Sequence, residues 1–311
     1  MRVLGVQFDA RPGAVAENAA KVEQLLQSAS PGAADLVVLP EMALSGYVFE
    51  SLEHVQPYLE SPYADDSRTL DLCRAIAARL HCYVVAGFPE RAAKGAADAL
   101  DGAPPHDARS ELRQNQASSY APRVLGEAYN AAMLVGRDGA LLKVFRKHFL
   151  YETDTTWADE GPGFQTVALP GLGRVCVAVC MDMNPYQLDS DFQRYELAYF
   201  CDREKVDLLV VPMNWLMPED EEPGADDRPS LGTINYWVTR SLPLWVPGMS
   251  QPSSAGHCTT LVACNRMGTE RGLTFAGSSS VITFVAAGQA SLEKAIGKRE
   301  EGVVDVVLGA E

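Results

Sequence analysis

Short β-branched apolar runs recur along this 311-residue chain, and helical patterns separate several of them. Residues 2–8 read as a strand, and the stretch from Val15 to Ser28 sets Val15, Ala19, Val22 and Leu26 on one helical face. Asp35-Leu-Val-Val-Leu39 reads as a second, buried strand. Ser67 is placed to cap a helix running to Leu80, and Cys82-Tyr-Val-Val-Ala-Gly87 reads as the next strand. Strands and helices alternating at these distances imply βαβ units, hence an α/β fold. Further on, Tyr129–Val135 and Leu141–Phe145 flank Gly136-Arg-Asp-Gly139 in a hairpin pattern, and strands are expected at 174–180, 207–213, 259–264, 279–284 and 302–308. Residues 91–127, rich in small and polar residues, and the acidic stretch 218–231 read as surface loops on a single domain spanning 1–311.

Charge narrows the function classes. Lys and Arg total 26 against 41 Asp and Glu, a net charge of −15, which argues against nucleic acid or an anionic membrane as partner. No apolar run has the length needed to span a bilayer, and a chain that starts as a strand shows no signal or transit peptide. The seven cysteines are an odd number set within apolar segments, the usage of a reducing compartment. The expected location is the cytosol, with the nucleus as the other reducing option.

Three segments place reactive side chains just beyond strands. In Leu39-Pro40-Glu41, a carboxylate follows a buried run, where burial is costly unless the group is paired or used. Phe145-Arg-Lys147-His148 puts cations at the end of the second hairpin strand. Arg174-Val-Cys-Val-Ala-Val-Cys180 ends on a thiol before the turn-forming Met181-Asp-Met-Asn-Pro-Tyr186. Each alone has an ordinary structural explanation. Together they supply a thiol nucleophile, a proton acceptor and a cation for a developing oxyanion, at the strand ends where α/β folds build their sites.

In this order the three segments resemble the signatures of the nitrilase superfamily of carbon–nitrogen hydrolases, which surround a Glu, a Lys and a Cys. The resemblance extends to Tyr129-Asn130, Asn214-Trp215, Cys264-Asn-Arg-Met-Gly268 and Gly277-Ser-Ser279, so it covers nearly the whole chain. Within the superfamily, the run from Glu41 to His54 and Cys180-Met-Asp-Met-Asn-Pro-Tyr186 are most similar to the fungal protein N-terminal amidase branch, which deamidates N-terminal Asn and Gln. Many other branches carry an aromatic residue after the cysteine and an Arg a few positions on. Met181 and Pro185 depart from that pattern toward the amidases.

The resemblance implies a four-layer α-β-β-α sandwich in which Cys180 attacks a carboxamide and Glu41 moves the proton. It also implies that Lys147 and the Met181 N–H hold the oxyanion, that Glu152 supports the Lys and orients substrate, and that no metal or organic cofactor takes part. Asn214 and Trp215 match pocket-lining positions. The partners implied are peptide or protein N-termini bearing Asn or Gln, whose α-ammonium needs acceptors. Asp182, Glu127 and the acids around Asp189 and Asp191 are candidates. Family members commonly dimerise through outer helices, so a homodimer fits the expectation. Other readings stay open: an ω-amidase-like enzyme, a carbamoyl hydrolase or a nitrilase with the same three residues, a Cys–His enzyme using His148 or His257, and a silent module docking through its acidic loop.

Overall fold

Period-two alternation within the strands divides their side chains between two cores. The computed structural model describes residues 1–64, 67–92, 126–186, 191–219, 221 and 227–309, so most of the first expected loop and part of the second lie outside the described residues. One six-stranded sheet contains β1 (Arg2–Gln7), β2 (Leu36–Val38), β3 (Tyr83–Arg91), β4 (Ala128–Val135), β5 (Leu141–Arg146) and, paired antiparallel beside β1, β14 (Gly302–Val307). Strands β1, β2 and β3 run parallel, as expected of βαβ units, and β3 to β5 form an antiparallel meander.

The second six-stranded sheet repeats this mixture. It is built from β6 (Thr166–Leu169), β7 (Gly173–Val177), β8 (Leu208–Met213), β9 (Cys258–Asn265), β12 (Ser280–Val285) and β13 (Gln289–Ala295), with β7, β8 and β9 parallel. A small antiparallel ribbon, β10 (Thr269–Glu270) and β11 (Leu273–Thr274), follows β9.

The alternating side chains show how the layers stack. Val3, Leu36, Val38, Val85 and Leu134 face the second sheet, where they join Cys176, Val210 and Leu261 in one apolar cluster. Their strand neighbours Leu4, Val37, Val84 and Met133 face outward and meet Val22 of helix α1 (Val15–Leu25), its capping residue Leu26, and Cys73 and Ile76 of α2 (Arg68–Leu80). On the far side, α3 (Glu196–Glu204) and α4 (Leu231–Arg240) bring Leu197, Cys201, Ile234 and Trp237 against the second sheet. The order is helix, sheet, sheet, helix, the four-layer sandwich. Among the described residues no helix is long and apolar enough to cross a membrane.

Local chemistry sets the boundaries near the site. Ser67 caps α2 by accepting the Leu70 N–H, and His81 ends that helix in a left-handed conformation, φ 56°. Strand β7 stops at Val177, three residues before the expected end, because Val179 and Cys180 leave the ladder for a short 3-10 turn over Cys180–Met183.

Candidate active site

Five side chains converge from the ends of both sheets. Beyond β2, the Leu39 N–H still pairs with the Val85 carbonyl, at 2.8 Å, before the chain turns at Met42, φ 51°. This turn lies directly on β3, where a Cβ on Gly87 would stand 2.4 Å from the Glu41 Cα, so the position admits only glycine without displacement. Glu41, 1% exposed, is thereby aimed between the sheets. Its Oε1 accepts from Lys147 Nζ and Asn130 Nδ2, each at 2.7 Å, and its Oε2 accepts from the Asn214 N–H at 2.7 Å. Asn214 Nδ2 also donates to the Glu41 carbonyl at 3.0 Å.

Lys147 directly follows β5 and is fully buried. Its Nζ lies 2.7 Å from Glu41 and 2.7 Å from Asp154, whose Oδ1 also accepts from Asn130 Nδ2 at 2.9 Å and whose Oδ2 accepts the Tyr151 N–H at 2.9 Å. The Tyr47 ring lies against the ammonium, 5.8 Å from its centroid. Tyr47 is itself held by Glu270, which accepts its N–H at 3.1 Å and that of Val48 at 2.8 Å, and Glu270 is paired with buried Arg266.

Cys180 sits at φ 43°, a left-handed conformation that costs a non-glycine residue on the order of 1–3 kcal/mol and persists only where its surroundings fix it. Asp182 fixes it. One carboxylate oxygen accepts the Val179 N–H at 2.8 Å, and the other accepts those of His148 at 3.0 Å and Phe149 at 2.8 Å. The turn bearing the thiol is thus tied to the segment bearing the ammonium.

The electrostatics follow from this enclosure. Burial raises the Glu41 carboxyl above its usual range and Asp154 adds to the rise, while Lys147 and the Asn130 donor oppose it; three converging donors support the ionised form. Burial alone would lower the Lys147 ammonium, but Asp154 and Glu41 hold it above its ordinary value, so it stays charged. Burial and the Glu41 charge push the Cys180 thiol well up, with Lys147 opposing. The resting thiol therefore keeps its proton, within the field of both the Glu41 carboxylate and the Lys147 ammonium.

Several expected residues take other places. Glu152 is exposed, and the carboxylate that holds Lys147 is Asp154, because the turn after Tyr151 aims residue 154 inward and residue 152 out. Asp182 is no ammonium receptor: it is 2% exposed and three backbone N–H groups occupy its oxygens. Asn214, 2% exposed, clasps the base instead of lining an open pocket. Trp215 is half-buried and packs on Tyr236, centroids 5.4 Å apart, in a cleft of about 650 Å³ that Asn184, Leu216, Thr233 and Glu221 also line. Glu127 is exposed just before β4, and Asp191 is exposed too, while Asp189 lies outside the described residues. The Met181 N–H follows the nucleophile in the 3-10 turn.

The two histidines of the Cys–His alternative are engaged by main-chain carbonyls. His148 Nδ1 faces the Gly161 carbonyl at 3.0 Å and His257 Nε2 the Val206 carbonyl at 3.0 Å, whereas the charges acting on Cys180 are those of Glu41, Lys147 and Asp154. Sequence reasoning missed Asn130, Asp154 and Tyr47 as parts of the cluster. Asn130 and Tyr47 stood in stretches already noted, Tyr129-Asn130 and the run from Glu41 to His54; nothing in Tyr151-Glu-Thr-Asp154 marked the second acid over the first.

A two-sheet sandwich with a thiol, a carboxylate and an ammonium at the sheet ends is the arrangement of a hydrolase acting on amide carbon–nitrogen bonds. The model of the carbon–nitrogen hydrolase family matches residues 5–287, and the chain belongs to that family. It is 31% identical to the protein N-terminal amidase of Schizosaccharomyces pombe over 96% of both chains. To the protein N-terminal amidase of Saccharomyces cerevisiae it is 25% identical, over 70% of this chain and 45% of that protein. A crystal structure of an N-terminal amidase with an Asn-Glu peptide shares the fold, with a TM-score of 0.78 at 20% identity over 98% of this chain and 96% of that one.

Proposed function

We propose that this hydrolase removes the side-chain amide of N-terminal Asn and Gln from peptides and proteins, leaving Asp or Glu and releasing ammonia. The observation that carries the proposal is the buried Glu41–Lys147–Cys180 cluster in a chain 31% identical, nearly end to end, to a protein N-terminal amidase. The cleft walled by Trp215 and Tyr236 adds support. Asn184 closes the turn that starts with Cys180, and Trp215 follows the residue that grips Glu41, so the cleft adjoins the nucleophile and has room for the rest of a peptide.

In this reading Cys180 Sγ attacks the carboxamide carbon as Glu41 takes the thiol proton. Lys147 and the Met181 N–H stabilise the negative oxygen. The C–N bond breaks as Glu41 returns that proton to the departing nitrogen, leaving a thioester and free ammonia. Water, deprotonated by Glu41, attacks the thioester; the acyl–sulfur bond breaks, and the proton goes back to sulfur. All seven cysteines are unpaired, which supports the cytosol as the working compartment.

The test is ammonia release and a peptide mass gain of about 1 Da, the amide-to-acid difference, from peptides that begin with Asn, begin with Gln, or carry Asn internally. Deamidation confined to the N-terminal residue, and lost in Cys180→Ala, is the expected result. Equal turnover of free glutamine or of internal Asn would overturn the proposal.

A further inference from the structure

Lys147 is clamped between two carboxylates. Glu41 and Asp154 each stand 2.7 Å from its Nζ, and all three residues are at most 1% exposed. Both carboxylates are well supplied with donors: Lys147, Asn130 and the Asn214 N–H for Glu41; Lys147, Asn130 and the Tyr151 N–H for Asp154. Each carboxylate is thereby tied to the Lys147 ammonium and to neutral donors by short hydrogen bonds. Two negative charges thus share one positive charge next to Cys180. A single ion pair would have sufficed to orient the ammonium; the second carboxylate leaves the cluster one unit negative.

We infer that Asp154 makes the site discriminate by charge, admitting a neutral carboxamide and rejecting the carboxylate that hydrolysis makes from it. The inference rests on the amidase reading above. Hydrolysis turns R–CONH₂ and water into R–COO⁻ and ammonium, so substrate and product are nearly the same shape and differ by one charge. Shape alone gives the enzyme little means to release the product. An acid returning to Cys180 meets an unbalanced buried charge several ångströms away. At an effective dielectric of about 20 and a separation of about 5–6 Å, that repulsion weakens binding roughly 100-fold. Asp154 would therefore act as a specificity residue that favours product departure, beyond its part in holding Lys147.

The test uses Cys180→Ala protein, which binds without turnover. Calorimetry at neutral pH compares two peptides identical but for an N-terminal Asn or Asp. We expect the amide to bind roughly 100-fold more tightly, and adding Asp154→Asn to bring the ratio below about tenfold. A purely structural role for Asp154 would weaken both peptides alike and leave the ratio unchanged, which overturns the inference. If the Asp154→Asn protein does not fold, Glu41→Gln removes the same unit of charge and must narrow the ratio similarly. A ratio near one in the Cys180→Ala parent overturns the inference outright. Glutamine and glutamate are measured in parallel. Discrimination in that pair with no peptide binding counts against N-terminal peptides as substrates while supporting the charge mechanism, and failure of both amides to bind counts against both.

Discussion

Replacing Asp182 by Asn probes the carboxylate that ties the nucleophile's turn to the segment carrying Lys147. Burial outweighs the three N–H bonds that Asp182 accepts and moves its carboxyl from an ordinary 3.8 to about 6. The native protein therefore keeps a proton on Asp182 over a range in which the unfolded chain has released it. Stability from this group is greatest at low pH and falls as the pH rises from about 4 to about 6. At 1.36 kcal/mol per decade, that gap is worth about 3 kcal/mol. D182N has no such proton to lose, so its stability lacks this slope. It also turns an NH₂ toward the Val179 N–H, a loss of about 1–3 kcal/mol that does not depend on pH. Urea denaturation of both proteins at steps between about pH 4 and 7 separates the two effects. Other titrating groups, Glu41 among them, are common to both proteins and largely cancel in the difference. The variant should gain about 3 kcal/mol on the wild type across this range. Two parallel curves would refute the argument, because they would mean that Asp182 is not enclosed as described.

Three further outcomes are expected. Because burial raises the Glu41 carboxyl above its usual 4.5 and the base must be ionised, the acid limb of kcat/KM should lie above 4.5; Asp154→Asn should shift it down, and a pH–rate profile with a wild-type midpoint at or below 4.5 contradicts this. Gly87→Ala drives a methyl into the Glu41 main chain, so it should cost about 1–3 kcal/mol in thermal unfolding and lower kcat; an alanine variant with native stability and rate would show that the approach is looser. Arg266→Leu leaves Glu270 buried without its cation and should cost about 3–5 kcal/mol, whereas replacing both partners by apolar residues should recover part of that loss; denaturation midpoints of the single and double variants check it.

Much of the first half of the fold was legible because local chemistry and tertiary packing agree there. Ser67 begins α2 both as a cap and as the first residue outside an amphipathic run, and the Gly136–Gly139 turn joins the almost fully buried β4 to β5, which buries Phe145. The second half was harder. The strand β13, Gln-Ala-Ser-Leu-Glu-Lys-Ala, lies at a sheet edge with most side chains exposed, so alternation has no burial to express. Helix α4 includes Gly232 and several β-branched residues and owes its place to the packing of Ile234 and Trp237. The catalytic trio could be read because each member follows a recognisable strand. Its supports could not: choosing Asp154 over Glu152 takes the path of one turn, and separating Asp182 from a substrate-binding acid takes the positions of three N–H groups.

The division of the site between the sheets has a consequence for how the chain becomes reactive. Glu41, Asn130 and Lys147 come from one sheet, and Cys180 and Asn214 from the other. Neither sheet on its own brings an acceptor to the sulfur. While the chain is folding, the thiol remains an unassisted cysteine that attacks amides poorly, and it acquires its base only when the two layers close on each other. Chemical competence is thus a property of docking, and it should vanish in any state that keeps its strands but parts its sheets.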